Sequence, residues 1–392
     1  MTLTSLPADP AERTQVRGRS SGRGFLAGLE DQRPFAFIGP NWFAAVMGTG
    51  RVAAALATMP VHVPGLRVLA EVVWLLDVVV LAAVLVATAM HWALHPRTAR
   101  GHLADPVMSH FYGAPAMALM TVGAGALLVG APVVGPTIAI GMAAVLWLAG
   151  TLMGLWTAVA VPVRAFTTHE VAPNAAFGGW LMPVVPPMVS AATGPLLLAH
   201  LPAGQWRLSL LLACVMMFGL TLVASLVVIT LIWSRLVHHK VGAAAAVPTL
   251  WIVLGPLGQS VTASHTLGVA APTVLPEPFG SAFEAMGLVF GLPMWGFAML
   301  WLAIAASITI RTMRSTRSGL PFTLTWWSFT FPVGTVVTGT SGLAVTTGAS
   351  FLSVAALVLY AGLLVAWGTV AFRTARGVWD GRLLRRPTLS AR

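Results

Sequence analysis

Charged residues are scarce in this 392-residue chain, at 8%, against roughly 25% in soluble domains. So few charges cannot solvate the surface of a soluble protein of this length, which points to lipid as the main solvent. The single cysteine, Cys214, sits inside an apolar run. It excludes a disulfide framework and a cysteine metal site within one chain. No Walker A sequence is present, so ATP is not bound through that motif. Residues 1–33 are polar and lack an apolar stretch of signal-peptide type, so a cleavable leader is not expected. Acidic residues number 11 against 22 basic ones, a net charge of +11. The excess does not suggest nucleic acid, because the arginines fall in short loops and tails between apolar runs.

Apolar residues are abundant: 57% of the chain, with a mean hydropathy of +0.85. A bilayer core about 30 Å thick takes about 20 apolar residues per helix. Only helices or closed barrels satisfy their backbone there. Runs such as Val72–Met90 and Leu208–Trp233 are too long and continuous for barrel strands. Ten helical spans are therefore expected within a transport domain at 35–375. It is flanked by a disordered cytoplasmic tail at 1–34 and a basic cytoplasmic tail at 376–392. With the N-terminus inside, the inner segments and tails hold 19 Lys and Arg and the outer loops hold Arg67 and Arg207. The positive-inside rule then puts both termini in the cytoplasm. A multi-pass protein of the cell membrane is expected.

The spans alternate in kind. Even ones are plain apolar runs such as LLDVVVLAAVLVATAM. Odd ones carry Pro, Gly and hydroxyls, as in GPNWFAAVMGTG and GPLGQSVTASHTLG. Prolines recur at Pro40, Pro115, Pro186, Pro256 and Pro332, with spacings of 75, 71, 70 and 76 residues. A period of this size marks repeated units, each one helical hairpin. The fold expected is an all-α membrane protein: ten helices as five hairpins in a quasi-fivefold ring around a central pore. Proline-broken helices are tolerable in the inner ring because they line a cavity. Thr121, Thr262 and Thr338 lie six residues after their prolines, and Thr193 lies six after Pro187. They are read as pore-lining, although small and hydroxyl residues also serve close helix packing.

The odd helices resemble those of the tellurite-resistance/dicarboxylate transporter family, which includes the slow anion channels of plant guard cells. The segments that carry the likeness are NWFAAVMGTG at 41–50, DPVMSHFYGAPAM at 105–117, WLMPVVPPMVSAATG at 180–194, GPLGQS at 255–260 and WWSFTFPVG at 326–334. The last two are most like the malate permease and sulfite pump branch. The resemblance implies a five-hairpin pore, often trimeric, that carries malate and other dicarboxylates, sulfite, chloride, nitrate or tellurite. It also implies a phenylalanine plug on the ninth helix, which Phe331 matches, with Phe329 as the fallback. The chain departs from the family pattern after MGTG, where an apolar residue is usual and Arg51 stands instead.

Arg51 is the one arginine inside a span. A charge there is costly and marks a functional position by default. It is placed in the outer third of its helix, where it would draw anions in or else snorkel to the headgroups. Thr49, Gln259, Ser260 and the titratable His265 complete the candidate anion-binding and pore-lining groups. Glu71 and Asp77, on an even helix, are expected to pair with a neighbouring hairpin or to lie near the surface. His91, His95, His102 and His110 do not form a pattern suited to haem or a metal, and no cofactor is expected. The function expected is passive or secondary transport of a small anion and not catalysis. The first choice is a dicarboxylate such as malate, and the alternatives are sulfite, an inorganic anion or a proton-coupled carrier. The partners are the anion, the bilayer and two further copies in a homotrimer, with no nucleic acid.

Overall fold

The structure, a computed structural model, describes residues 33–61, 65–316 and 319–385. Most of the 1–34 tail, Arg317 and the last seven residues lie outside the described residues. Among the described residues there is no strand. The principal helices are α1 (Phe43–Ala57), α2 (Leu66–Leu94), α3 (Gly113–Gly125), α4 (Pro136–Thr167), α5 (Pro186–Thr193), α6 (Gln205–His239), α7 (Leu254–Ala270), α8 (Phe279–Ser315), α9 (Phe331–Thr347) and α10 (Ser350–Trp379). The last of these runs past residue 375, into the segment assigned to the basic tail.

Seven helical runs among the described residues are long and apolar enough to cross a membrane. The exceptions are α1, α5 and α9, at 15, 8 and 17 residues. Their shortness follows from their sequence. Proline cannot donate the backbone hydrogen bond that continues a helix, so it favours the first turn. Each proline-led helix is entered through a 3₁₀ segment: Pro40–Trp42, Met108–Tyr112, Gly178–Leu181, Ala244–Val253 and Leu324–Phe329. This shared entry is the clearest structural trace of the sequence repeat.

The two helix types bury different fractions of their surface. In α9 the run Phe331–Ala344 is buried throughout, whereas α10 buries only one residue in every three or four. The odd helices pack on one another in sequence: α1 on α3, α3 on α5, α5 on α7, α7 on α9, and α9 back on α1. The even helices pack outside them. Indole N–H groups on the even helices fasten them to an odd helix of another hairpin. Trp74 of α2 donates to Val122 O of α3 at 3.1 Å, and Trp147 of α4 to Ser190 O of α5 at 3.1 Å. Trp295 of α8 donates to Thr340 Oγ1 of α9 at 2.8 Å, and Trp367 of α10 to Thr49 Oγ1 of α1 at 3.1 Å. Each such bond contributes about 1 kcal/mol net. The last one ties the final hairpin to the first.

Phe329 and Phe331 part company at the entry of α9. Phe331 is buried against the odd helices. Phe329 turns to the outer side, edge-on to Trp251 at 5.2 Å and to Trp326 at 5.6 Å. There it lines an apolar groove with Leu302, Val333 and Leu359. Phe329→Ala should therefore lower stability by about 2 kcal/mol, somewhat below the cost of truncating a fully buried phenylalanine. Anion flux per folded molecule should stay the same. Heat-challenge curves in detergent, paired with flux measurements, check both parts.

Candidate anion pathway

Two cavities lie end to end among the odd helices. The first takes residues from α1, α3, α7, α9 and their 3₁₀ entries, and from the segment between Gly178–Leu181 and α5. Its lining includes Asn41, Phe111, Met182, Pro256, Trp327 and Phe331. The second lies further along the same helices. Arg51 of α1, Thr121 of α3, Thr193 of α5, Gln259 and Thr262 of α7 and Thr338 of α9 line it. All five odd helices thus contribute to one space, and six of the ten candidate residues from the sequence meet there.

Arg51, in the lining of the second cavity, meets Phe331, in the lining of the first. Its Cζ lies 4.9 Å from the centroid of the Phe331 ring, within cation–π range. Its Nη2 donates to Gln259 Oε1 at 2.8 Å. The side chain turns inward and is buried, so it does not reach out to a headgroup layer. The expectation of the outer third of the helix assumed a helix running from Phe35. Residues 35–42 are a turn and a 3₁₀ segment, and α1 starts only at Phe43. Arg51 packs directly on α9, where a Cβ added at Gly334 would lie 2.8 Å from the Arg51 Cβ. Helical side chains lean toward the N-terminus, which carries the guanidinium down to Phe331.

The hydroxyls of the second cavity have a common habit. Thr121 donates to Met117 O at 2.7 Å and Thr193 to Val189 O at 2.7 Å, each onto its own helix. Thr262 reaches Gly258 O at 3.1 Å, Thr338 reaches Thr335 O at 3.0 Å, and the two hydroxyls lie 2.8 Å apart. With those protons directed to carbonyls or to each other, the N–H donors of Arg51 and Gln259 stand out in the lining. Arg51 Nε and Gln259 Nε2 are buried with no hydrogen-bond partner.

The other candidates lie elsewhere. Thr49 accepts from Trp367 and is absent from the lining of both cavities. Ser260 is fully buried and donates to Leu257 O at 2.8 Å. His265 borders a separate small pocket with Glu284 and Thr346, and its Nδ1 is 3.2 Å from the Thr346 hydroxyl. Thr58 and Thr266 line the second cavity and were not singled out from the sequence. Thr266 lies four residues after Thr262 and Thr58 seven after Arg51, so helical spacing was the signal that could have found them.

Asp77 occupies an unexpected place. It is neither superficial nor paired. It has no exposed surface, its two oxygens meet no side-chain hydrogen-bond partner, and its carboxyl packs against the backbone of Gly50 in α1. No ion pair among the described residues includes Asp77 or Arg51. Glu71 pairs within its own helix, with Arg67 at 3.4 Å. The histidines of the α2 end stack on one another. His91 and His102 have ring centroids 5.1 Å apart, and His91 Nδ1 is 2.8 Å from Phe35 O. Burial, and then the neighbouring His91, hold His102 below the ordinary histidine range. Among the described residues no group of three or more His, Cys, Asp or Glu could hold a metal ion.

Comparison with known proteins gives the chain a family. The family model described as voltage-dependent anion channel matches residues 38–375. A sulfite efflux pump of Arthroderma otae is 31% identical over 317 residues, which cover 77% of this chain and 80% of that protein. A sulfite efflux pump of Trichophyton rubrum gives the same identity and coverage. An uncharacterized transporter of Methanocaldococcus jannaschii is 26% identical over 347 residues, 88% of this chain and 95% of its own length.

Proposed function

This chain belongs to the voltage-dependent anion channel family, and we propose that it passes sulfite through a pore walled by its five proline-led helices, with Phe331 as the gate. It is a multi-pass membrane transport protein for small anions and not an enzyme. The observation that carries the finer reading is the Arg51–Phe331 contact, set where two cavities walled by the same helices meet. A large ring at the narrow point of an apolar passage excludes both water and ions. The closed series of contacts from α1 round to α9 and back supports a quasi-fivefold ring of ten helices. Arg51, Gln259 and the four threonines are the anion-facing groups in this reading. Sulfite stands ahead of malate because two of the relatives described above are named as sulfite pumps, while the planar guanidinium fork suits either anion. Purified protein in liposomes should pass sulfite faster than malate. Equal malate flux would remove that preference, greater malate flux would reverse it, and an absence of flux for every anion would remove the reading.

The same reading places the protein in the cell membrane as a homotrimer with both termini in the cytoplasm. A cysteine at Ala243, just after α6, tests the orientation once Cys214 is replaced by alanine. Impermeant thiol reagents should label it from the cytoplasmic side alone. Labelling from outside would overturn the charge argument.

Asp77 favours a second reading, in which anion movement is coupled to protons. A buried carboxyl in no ion pair, packed against Gly50, the residue before Arg51, is suited to taking up and releasing a proton as the pathway cycles. Asp77→Asn keeps the shape and removes the titration. If protons are coupled, an imposed pH gradient drives anion uptake in the parent protein and fails to drive it in this variant. Equal uptake with and without the gradient in the parent protein would dismiss the coupling.

A further inference from the structure

The buried guanidinium of Arg51 has two engagements. One edge donates through Nη2 to Gln259 Oε1, and the ring of Phe331 lies 4.9 Å away. No acidic side chain pairs with it among the described residues. Two donors on this pair of residues remain unused, Arg51 Nε and Gln259 Nε2, and both are buried. Buried donors without partners are costly to keep, and here they sit on two residues that line the same cavity.

We propose that Arg51 is a latch on Phe331 which the transported oxyanion itself releases. The proposal rests on the reading of Phe331 as the gate. Cation–π attraction is electrostatic, a cation drawn to the negative face of the ring. An anion paired with the guanidinium cancels most of that charge and with it the hold on the ring. The planar edge formed by Nε and Nη2 takes two oxygens of an oxyanion side by side. Gln259 Oε1 gives up Nη2 as the anion arrives, and the freed amide turns its Nε2 toward the third oxygen. A three-oxygen anion such as sulfite thereby meets three N–H donors from two residues. Chloride, a single atom, cannot span the edge in this way and is a poor trigger. The occupied state satisfies the two donors that the closed state leaves unpaired.

The latch has a kinetic signature. Each sulfite ion both permeates and favours opening, so flux rises more steeply than concentration at the low end. Sulfite also speeds the flux of chloride when present at concentrations too low to compete with it. Arg51→Met keeps side-chain length and removes the charge, and replacing a buried charge with an apolar group is often tolerated. In liposomes it should give flux proportional to sulfite at low concentration, about tenfold above the parent protein, as expected for the loss of one buried cation–π contact. The stimulation of chloride flux by sulfite should vanish. Parent and variant curves of the same shape, with the variant lower at every concentration, would overturn the latch and leave Arg51 as a recruiting group. Phe331→Ala, run alongside, separates the two ideas. If it fails to raise flux, the gate reading itself is wrong. A second measurement holds even if the Arg51 variant does not fold. With 4-fluorophenylalanine at position 331 of the otherwise unaltered protein, sulfite should shift the fluorine resonance and chloride should not. A resonance unmoved by saturating sulfite would overturn the proposal.

Discussion

Phe331→Ala is expected to raise anion flux roughly tenfold to a hundredfold, since each ~1.4 kcal/mol taken off a barrier is a factor of ten. The ring is buried and borders the first cavity, and its face meets Arg51, which lines the second. Truncation therefore joins two existing spaces instead of opening an isolated void in packed helices. The neighbours limit the structural damage. Pro332 and Gly334 follow at once, and Thr335 anchors this turn by donating to Pro332 O at 2.6 Å. Phe331→Leu should fall between parent and alanine, because it narrows the passage less than a ring does and offers no aromatic face to Arg51. Flux of sulfite and chloride into liposomes at matched protein density measures the series. An unchanged rate in Phe331→Ala, with the protein folded, would place the barrier elsewhere.

Gly258→Ala should have a large effect on the fold. Gly258 lies in the GPLGQS segment of α7, one residue before Gln259. A Cβ there would stand 2.5 Å from Val336 N and 2.7 Å from Thr335 C, both backbone atoms of α9. Backbone cannot rotate out of the way as a side-chain tip can, so α7 and α9 must separate. Overpacking at such a contact costs about 1–3 kcal/mol, sometimes more. The separation should also lengthen the Thr262–Thr338 contact, now 2.8 Å, and shift Gln259 from Arg51. The expected result is a marked loss of protein surviving a heat step in detergent, with reduced sulfite flux in what survives. A heat-survival curve that matches the parent would mean the two helices are held less closely than their contact implies.

The proline period announced the repeat, and the same residues explain why three inner helices fall short of a full span. Thr121, Thr193, Thr262 and Thr338 were legible because a fixed offset from proline recurs with the repeat. Thr49, Ser260 and His265 shared their helices but not their faces. Thr49 stands two residues before Arg51, about 200° around a helix of 3.6 residues per turn, so with Arg51 turned inward it must look away. Ser260 is about 100° from Gln259, and His265, six residues on, is about 240° from it. Offset along the chain sets depth, and only the angle around the helix sets the face. The Arg51–Phe331 contact was not legible at all. It joins residues 280 positions apart, and the apolar pattern cannot show that the first eight residues of the span are a turn and a 3₁₀ entry. Asp77 escaped for a related reason. Its helix faces lipid over most of its length, and only packing shows that this residue lies on the narrow buried stripe against Gly50.

The central claim is that anions cross through the space bounded by Arg51, Gln259 and the inner-helix threonines. Thr193 lines that space from α5 and suits a direct test. A cysteine is placed at Thr193 in a Phe331→Ala, Cys214→Ala protein, and iodoacetate, whose thioether product sulfite cannot cleave, is applied to the liposomes without sulfite and removed before sulfite flux is measured. The account predicts that modification stops the flux and that chloride slows the modification by occupying the same path. Complete modification with sulfite flux unchanged would contradict it.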